Sequence, residues 1–172
     1  AFDTGAGLTV DGVTYSFPVG GISMVVGVDT DLSTAFTGAC SYSAFTDYMS
    51  DCGTVNSIGS GGNGFTAAGS YAFDSGFSLA AGISGTADGA DTATNAKGLL
   101  TKEGSDSYGI EAAYTADSWG VSVAYVYDDN NTSAETTTWG VNGTYSFDLV
   151  DVSVGYETEE TSGTEDLSLI HI

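Results

Sequence analysis

Apolar residues recur at every second position through most of the chain, with small or polar residues between them. The clearest stretch begins at residue 65, where one set of side chains alternates with another: Phe65, Ala67, Gly69, Tyr71 and Phe73 against Thr66, Ala68, Ser70 and Ala72. Successive side chains of a β-strand point to opposite faces, so a period of two marks a strand whose faces differ. The pattern therefore predicts strands that each have an apolar face and a face of small residues.

The same alternation predicts about eight strands in all. The other seven cover residues 13–17, 22–28, 77–84, 108–116, 119–127, 139–147 and 150–156. Several approach the roughly 9–11 residues that a tilted strand needs to cross a membrane. Their connections alternate between short links, at 18–21, 74–76, 117–118 and 148, and long ones, at 29–62, 87–106, 128–136 and after 156. This alternation is typical of an up-and-down barrel in an outer membrane.

The two faces of the predicted strands differ in chemistry. The apolar face carries no charged residue at the positions that define it, and its rings lie toward the strand ends, as in the aromatic girdles of membrane barrels. The predicted girdle residues are Tyr108, Trp119, Tyr125, Tyr127, Trp139, Tyr145, Phe147 and Tyr156. The opposite face is mostly Gly, Ala, Ser and Thr, and its polar exceptions, predicted to line a water-filled lumen, are Glu111, Asn142, Asp151 and Glu157.

These patterns predict an all-β fold, an antiparallel up-and-down transmembrane β-barrel of which about eight strands are present. The alternative is a soluble, acidic β-structural protein that is secreted or belongs to a surface layer. Such a protein would usually place aromatic residues between two packed sheets and charged residues on its outer face. Solubility without detergent distinguishes the two hypotheses.

Composition excludes several classes of protein. Only 2 of the 172 residues are Lys or Arg, against 23 Asp and Glu, so the formal net charge is −21. A nucleic-acid-binding protein needs a basic surface, which this chain lacks. The 25 glycines disfavour long helices. No Ser–His–Asp or Cys–His set can be assembled, so we expect neither an enzyme nor a bound cofactor.

Three local motifs have alternative interpretations. Cys40 and Cys52 lie in the longest link and are predicted to form a disulfide, since no further soft ligands accompany them. Residues 59–64 match a dinucleotide-binding glycine spacing, but a strand follows where that site needs a helix, so the match is fortuitous. The acidic clusters are expected in links or at strand ends and lack the spacing of an EF-hand; they are Asp29/Asp31, Asp128/Asp129 and Glu157/Glu159/Glu160/Glu165. They are predicted to be solvated surface, with bridging of divalent ions as the alternative.

The ends of the sequence indicate a piece of a longer protein. No Met precedes Ala1, and the last six residues, Leu-Ser-Leu-Ile-His-Ile, match the in-frame translation of an adapter used in preparing sequencing libraries. We therefore expect residues 1–166 to be a partial barrel that is truncated at both ends and residues 167–172 to be an adapter artefact. His171, the only histidine, would then not be native.

Three segments resemble the cyanobacterial outer-membrane porins, the iron-uptake porins of the carbohydrate-selective porin family. They are Tyr-Ser-Phe-Pro-Val-Gly at 15–20, the loop around Cys40 and Cys52, and Gly-Leu-Leu-Thr-Lys-Glu-Gly at 98–104 leading into Ser107–Ile110. The resemblance implies a sixteen-stranded, usually trimeric barrel in the bacterial outer membrane that passes small inorganic or sugar solutes, including iron. The chain contains no Arg, so no basic pore residue of that family is transferred to it.

Overall fold

The computed structural model describes residues 12–30, 32–36, 64–85, 105–129, 135–162 and 167–171, the last segment by its backbone alone. A short 3₁₀ helix, Leu32–Ala35, is the helical element within these ranges. The strands are β1 (Val13–Val19), β2 (Ile22–Val28), β3 (Phe65–Ala72), β4 (Phe77–Gly85), β5 (Asp106–Thr115), β6 (Trp119–Asp129), β7 (Glu135–Ser146), β8 (Asp151–Thr161) and β9 (Leu167–His171).

The strands form one antiparallel sheet in which each strand pairs with its neighbours in the chain, in the order β1 to β9. The prediction of an all-β, up-and-down antiparallel fold is therefore confirmed, and β1 to β8 correspond to the eight predicted strands. Among the described residues, no pairing joins β1 to β9, so the sheet is open. The strand β9 lies in the terminal hexapeptide, and the adapter origin of that segment stays a prediction.

The short connections between strands lie at one end of the sheet and contain the residues that tight turns require. Gly20 and Gly21 join β1 to β2 with positive φ angles of 56° and 94°, and Gly76, between β3 and β4, has a φ of 85°. Glycine adopts these angles readily because it has no Cβ atom. The longer connections leave from the opposite end, as the alternation of link lengths predicts.

Two strands are longer than their apolar pattern indicates. The strand β7 begins at Glu135, before its first apolar residue Trp139, and β8 continues past Tyr156 to Thr161. The expectation that Glu157 lies at a strand end or in a loop is therefore wrong, because this residue is inside β8, whereas Glu159 does lie near the end of that strand. Pairing extends because it depends on backbone hydrogen bonds, and the threonines that flank these positions suit extended backbone.

The sheet has two unlike faces, which we call the bulky face and the small face. The bulky face carries the large apolar side chains, such as Val123 and Trp139, which are 39 % and 49 % exposed. The small face is buried, as at Ala68, Ala113 and Ala124. Packed against the small face is the 3₁₀ helix, which contacts β2 to β5. Within the described residues, no helix is long and apolar enough to cross a membrane.

Candidate functional site

The bulky face presents a continuous apolar band. Across its centre, the strand pairing aligns five uncharged side chains in one row: Leu79, Ala112, Val123, Val141 and Tyr156. The acidic residues that point to this face on β5 to β8 all lie at the end from which the long links leave: Asp106, Asp129, Glu135 and Glu160. A contiguous apolar surface of this extent marks a site of contact with another protein or a membrane.

Aromatic rings border the apolar band at both ends. At the tight-turn end, Tyr114 lies 5.3 Å from Trp119 and Tyr145 lies 4.7 Å from Phe147, measured between ring centroids. At the long-link end, the Tyr125 ring lies 4.7 Å from that of Trp139 in an edge-on arrangement. These separations are typical of favourable aromatic pairs. All eight predicted girdle residues belong to the bulky face.

Neither aromatic border runs straight across the sheet. At the long-link end, one row of paired residues runs from Tyr108 of β5 through Tyr127 and Thr137 to Glu160 of β8. The last aromatic residue of β8, however, is Tyr156, which lies four residues nearer the tight turns than Glu160. Three strand spacings of about 4.8 Å span about 14 Å, and four residues span about 13 Å. The line from Tyr108 to Tyr156 is therefore inclined by about 43° to the rows of paired residues.

The other border is inclined in the same direction. The register partner of Tyr114 on β6 is Val121, which is paired with Gly143 of β7. The last rings of β6 and β7, Trp119 and Phe147, lie two and four residues further toward the tight turns, whereas Phe77 of β4 and Phe73 after β3 share the row of Tyr114. A shift of four residues over the four strand spacings from Phe73 to Phe147 corresponds to about 35°. Strands that are tilted by about 35–45° from the membrane normal, with rings at both planar interfaces, would produce two parallel borders with this inclination.

Three of the four predicted lumen residues are buried on the small face. Glu111 is 4 % exposed, Asn142 is 3 % exposed and Glu157 is fully buried. Glu111 and Glu157 belong to one row, which runs through Ala124 and Gly140 between them. Their backbones are therefore about 14 Å apart along the sheet.

The other two predicted lumen residues, Asn142 and Asp151, differ in their surroundings. The hydroxyl of Ser122 donates a hydrogen bond to Asn142 Oδ1, 2.9 Å away. Asp151 belongs to the same face but is exposed at the start of β8, opposite Ser146. The sheet thus places Glu111, Asn142 and Glu157 at separate positions in the middle of the small face and leaves Asp151 at the end of the sheet.

Acidic side chains also gather at the long-link end of the small face, beyond the last rings of β6 and β8. The Ser107 hydroxyl donates a hydrogen bond to the Asp128 carboxylate. Burial raises the pKa of Asp128, and the bond from Ser107 opposes that shift by stabilising the charged form. Burial and the nearby Asp128 charge raise the pKa of Glu159. In the part of the chain that the structure describes, no three His, Cys, Asp or Glu side chains form a group that could hold a metal ion.

A depression of about 800 Å³ opens on the bulky face over β3 to β5, where the small residues Ala67, Gly69 and Ala81 leave space beside Met24 and Ile110. Its lining is almost entirely apolar. Such a surface suits contact with hydrocarbon groups.

Cys40 and Cys52 lie outside the described residues, so their disulfide stays a prediction. The 3₁₀ helix was not predicted from the sequence, although Leu32, Ala35 and Phe36 have the i, i+3, i+4 spacing of a helical face. That spacing was the available signal.

In comparisons with known proteins, the sequence matches no protein-family model and no curated protein.

Proposed function

We propose that the chain is part of an outer-membrane porin, a β-barrel through which small hydrophilic solutes diffuse passively. The solutes would be mainly inorganic ions, including iron species, and the sugars of the related carbohydrate-selective porins are a further class. No cofactor and no chemical step are involved. The cyanobacterial iron-uptake porins are the family that the sequence resembles.

The observation that carries this proposal is the inclination of the two aromatic borders. Transmembrane β-barrels tilt their strands by about 35–45° and place aromatic girdles at both membrane interfaces. The tilt of about 35–43° obtained from the ring positions agrees with that range. A soluble sheet has no boundary plane that would align its rings along two parallel diagonals.

The height of the apolar band also supports the proposal. Trp119 and Tyr127 are eight residues apart on β6, which is about 27 Å along the strand. A tilt of about 40° reduces this distance to about 20 Å along the membrane normal, near the apolar band of about 25 Å in known barrels.

The open edges of the sheet fit a larger barrel. An unpaired strand edge cannot face lipid, because its backbone polar groups would have no partners there. The strands β1 and β9 end the sheet. We propose that further strands of a sixteen-stranded barrel pair with β1 and, in place of β9 in the predicted adapter segment, with β8. We also propose that three barrels form the homotrimer implied by the resemblance.

Selectivity would arise from the acidic residues. Glu111, Asn142, Asp151 and Glu157 would contribute polar groups to the lumen side, and a net charge of −21 raises the local concentration of cations. We therefore propose a mild preference for cations, which a reversal potential in a planar bilayer with a salt gradient would measure. Anion preference of the full-length protein would contradict this part of the proposal.

The two tryptophans of the chain, Trp119 and Trp139, allow a direct test of lipid contact, because they lie at opposite ends of the bulky face. We would reconstitute the full-length protein in vesicles that contain lipids brominated on the acyl chains. Quenching of both indoles is expected, and the variants Trp119→Phe and Trp139→Phe assign the signal to each ring. Absence of quenching, together with a monodisperse protein in buffer without detergent, would instead support the secreted or surface-layer β-structural protein.

A further inference from the structure

Two carboxylates and a buried hydroxyl lie together at the long-link end of the small face. Asp128 of β6 follows Tyr127, the last ring of its strand, and Glu159 of β8 lies three residues beyond Tyr156. Thr138 of β7 is the register partner of Glu159, so their Cβ atoms are about 5 Å apart. Asp128 is its diagonal neighbour on the other side, at about 7–8 Å. We call these three side chains, Asp128, Thr138 and Glu159, the mouth cluster.

The hydroxyl of Thr138 indicates that the mouth cluster has a ligand. Thr138 is fully buried, and its Oγ1 atom has no hydrogen-bond partner among the described residues. The hydroxyl of Thr136, two positions earlier on the same face, instead shares a hydrogen bond of 3.1 Å with that of Thr161. A buried hydroxyl without a partner is unfavourable, so a native structure usually supplies one. An oxygen between two carboxylates suits a cation or a water that the cation carries.

The two carboxylates of the mouth cluster are held in place and repel each other. Both residues are partly exposed, so an ion can reach them. The hydrogen bond from Ser107 fixes the Asp128 carboxylate through Oδ1. Burial and the nearby Asp128 charge both raise the pKa of Glu159, which shows that the two charges interact. A cation between them would relieve this repulsion.

The spacing of the carboxylates suits an ion that keeps its water shell. Asp128 and Glu159 are two strands and two residues apart, so their backbones are separated by about 12 Å, and their side chains shorten the gap between the charged groups. A metal–water distance of about 2.1 Å followed by a hydrogen bond of about 2.7 Å places the oxygen atoms that hold a hydrated ion about 8–10 Å apart. Two carboxylates are sufficient for such an ion, because Mg²⁺ usually keeps several waters.

We infer that the mouth cluster is an entry site for hydrated divalent cations, in which Asp128 and Glu159 hold the water shell and the Thr138 hydroxyl accepts a hydrogen bond from it. This inference rests on the proposed function, to which it adds the charge of the cation and its place of entry. The long links of outer-membrane barrels are extracellular. The cluster would therefore lie at the external mouth of the lumen, where its two negative charges match a divalent ion.

Binding of Mn²⁺ to the full-length protein in detergent micelles, measured by electron paramagnetic resonance, tests the site without conduction. The buffer contains 0.15 M salt, which screens the distant charges of the chain. Asp128→Asn and Glu159→Gln should each weaken binding by about tenfold or more. The matched controls are Asp129→Asn and Glu160→Gln, which remove the same charge one residue away on the opposite face and should change the affinity less than about twofold. Equal affinities of all four variants would overturn the site.

The roles of the hydroxyl and of the water shell are tested separately. Thr138→Val should weaken Mn²⁺ binding, and Thr138→Ser, which restores a hydroxyl, should recover it. Hexaamminecobalt(III), which resembles a hydrated metal ion and does not exchange its ligands, should compete with Mn²⁺. Failure of this complex to compete would overturn binding through the water shell, and parent-like binding by Thr138→Val would overturn the role of the hydroxyl. Heat-dependent gel mobility verifies that each variant is folded.

Recordings in planar bilayers separate the entry site from the proposed function. Mn²⁺ should reduce the K⁺ current of the parent channel, because an ion held at the mouth slows those that follow. The Asp128→Asn and Glu159→Gln channels should need about tenfold more Mn²⁺ for the same reduction. A parent that conducts K⁺ but binds no Mn²⁺ would overturn the entry site and leave the porin. A parent that binds Mn²⁺ at the mouth cluster but conducts no ions would overturn the proposed function and the role in entry, whereas the binding site itself would be established.

Discussion

A charge in the middle of the bulky face provides the sharpest test of membrane contact. Val123 lies at the centre of β6, four residues from both Trp119 and Tyr127, and is 39 % exposed. Each of those rings is therefore about 13 Å away along the strand. We predict that Val123→Arg strongly destabilises the protein in lipid vesicles, because the guanidinium would lie near the bilayer midplane.

The magnitude follows from the depth of the position. Arg at the midplane of a membrane barrel costs about 2–4 kcal/mol, and Arg near an interface costs about 0–1 kcal/mol. The larger cost corresponds to a change of roughly 30- to 700-fold in the folding equilibrium. On an exposed face of a soluble protein, the same substitution would change stability by only about 0.5 kcal/mol or less.

The assay is unfolding by urea from vesicles, followed by tryptophan fluorescence and by the heat-dependent mobility of folded barrels in gels. Thr137→Arg is the matched control, since Thr137 belongs to the same face but lies beyond the last ring of β7, Trp139. We expect Val123→Arg to lose at least about 2 kcal/mol and Thr137→Arg to lose about 1 kcal/mol or less. Equal and small losses for both variants would refute the placement of this face in lipid.

Three further predictions concern stability. Gly76→Ala should lower the free energy of unfolding by about 1–3 kcal/mol, because Gly76 has a φ of 85° and the added Cβ would collide with the Thr115 carbonyl. The urea midpoint measures this loss, and an unchanged midpoint would contradict the turn geometry. The raised pKa of Asp128 means that the folded state binds a proton more readily than the unfolded state, so its contribution to stability should increase as the pH falls through the folded pKa and be lost as the pH rises through it. Asp128→Asn should remove this component, and an identical pH profile for parent and variant would refute it. Peptide mapping without reductant should recover Cys40 linked to Cys52, and the linkage should contribute roughly 3 kcal/mol on the chain-entropy estimate; recovery of two free thiols would contradict the pairing.

The strands and their faces could be predicted from the sequence because both depend on a local property. Alternation along a single strand decides which side chains share a face, so Val121 and Val123 could be assigned without knowledge of their neighbours. The ends of strands could not be predicted as well. The residues around Glu135 and Glu157 are polar, and the decision to pair them comes from the backbone of the adjacent strand rather than from their side chains.

The candidate site was predicted only in part. Its residue types and faces followed from the alternation, but the burial of Glu157 and the packing of Leu32 against β5 and β6 depend on contacts between residues that are distant in the chain. Leu32 is more than seventy positions before Gly109. Nothing in the local pattern around Leu32 indicates that a glycine on another strand leaves space for it.

The sequence by itself determined that this protein is built of two-faced antiparallel strands, because a period of two and glycine-containing turns are readable from adjacent positions. Only the tertiary structure decided the offsets between neighbouring strands, and with them the inclination of the two aromatic borders and the packing of the 3₁₀ helix against the small face. The physical reason is that an offset is a relation between two backbones. It is established by the hydrogen bonds that join them and by which side chains the opposing face can accommodate.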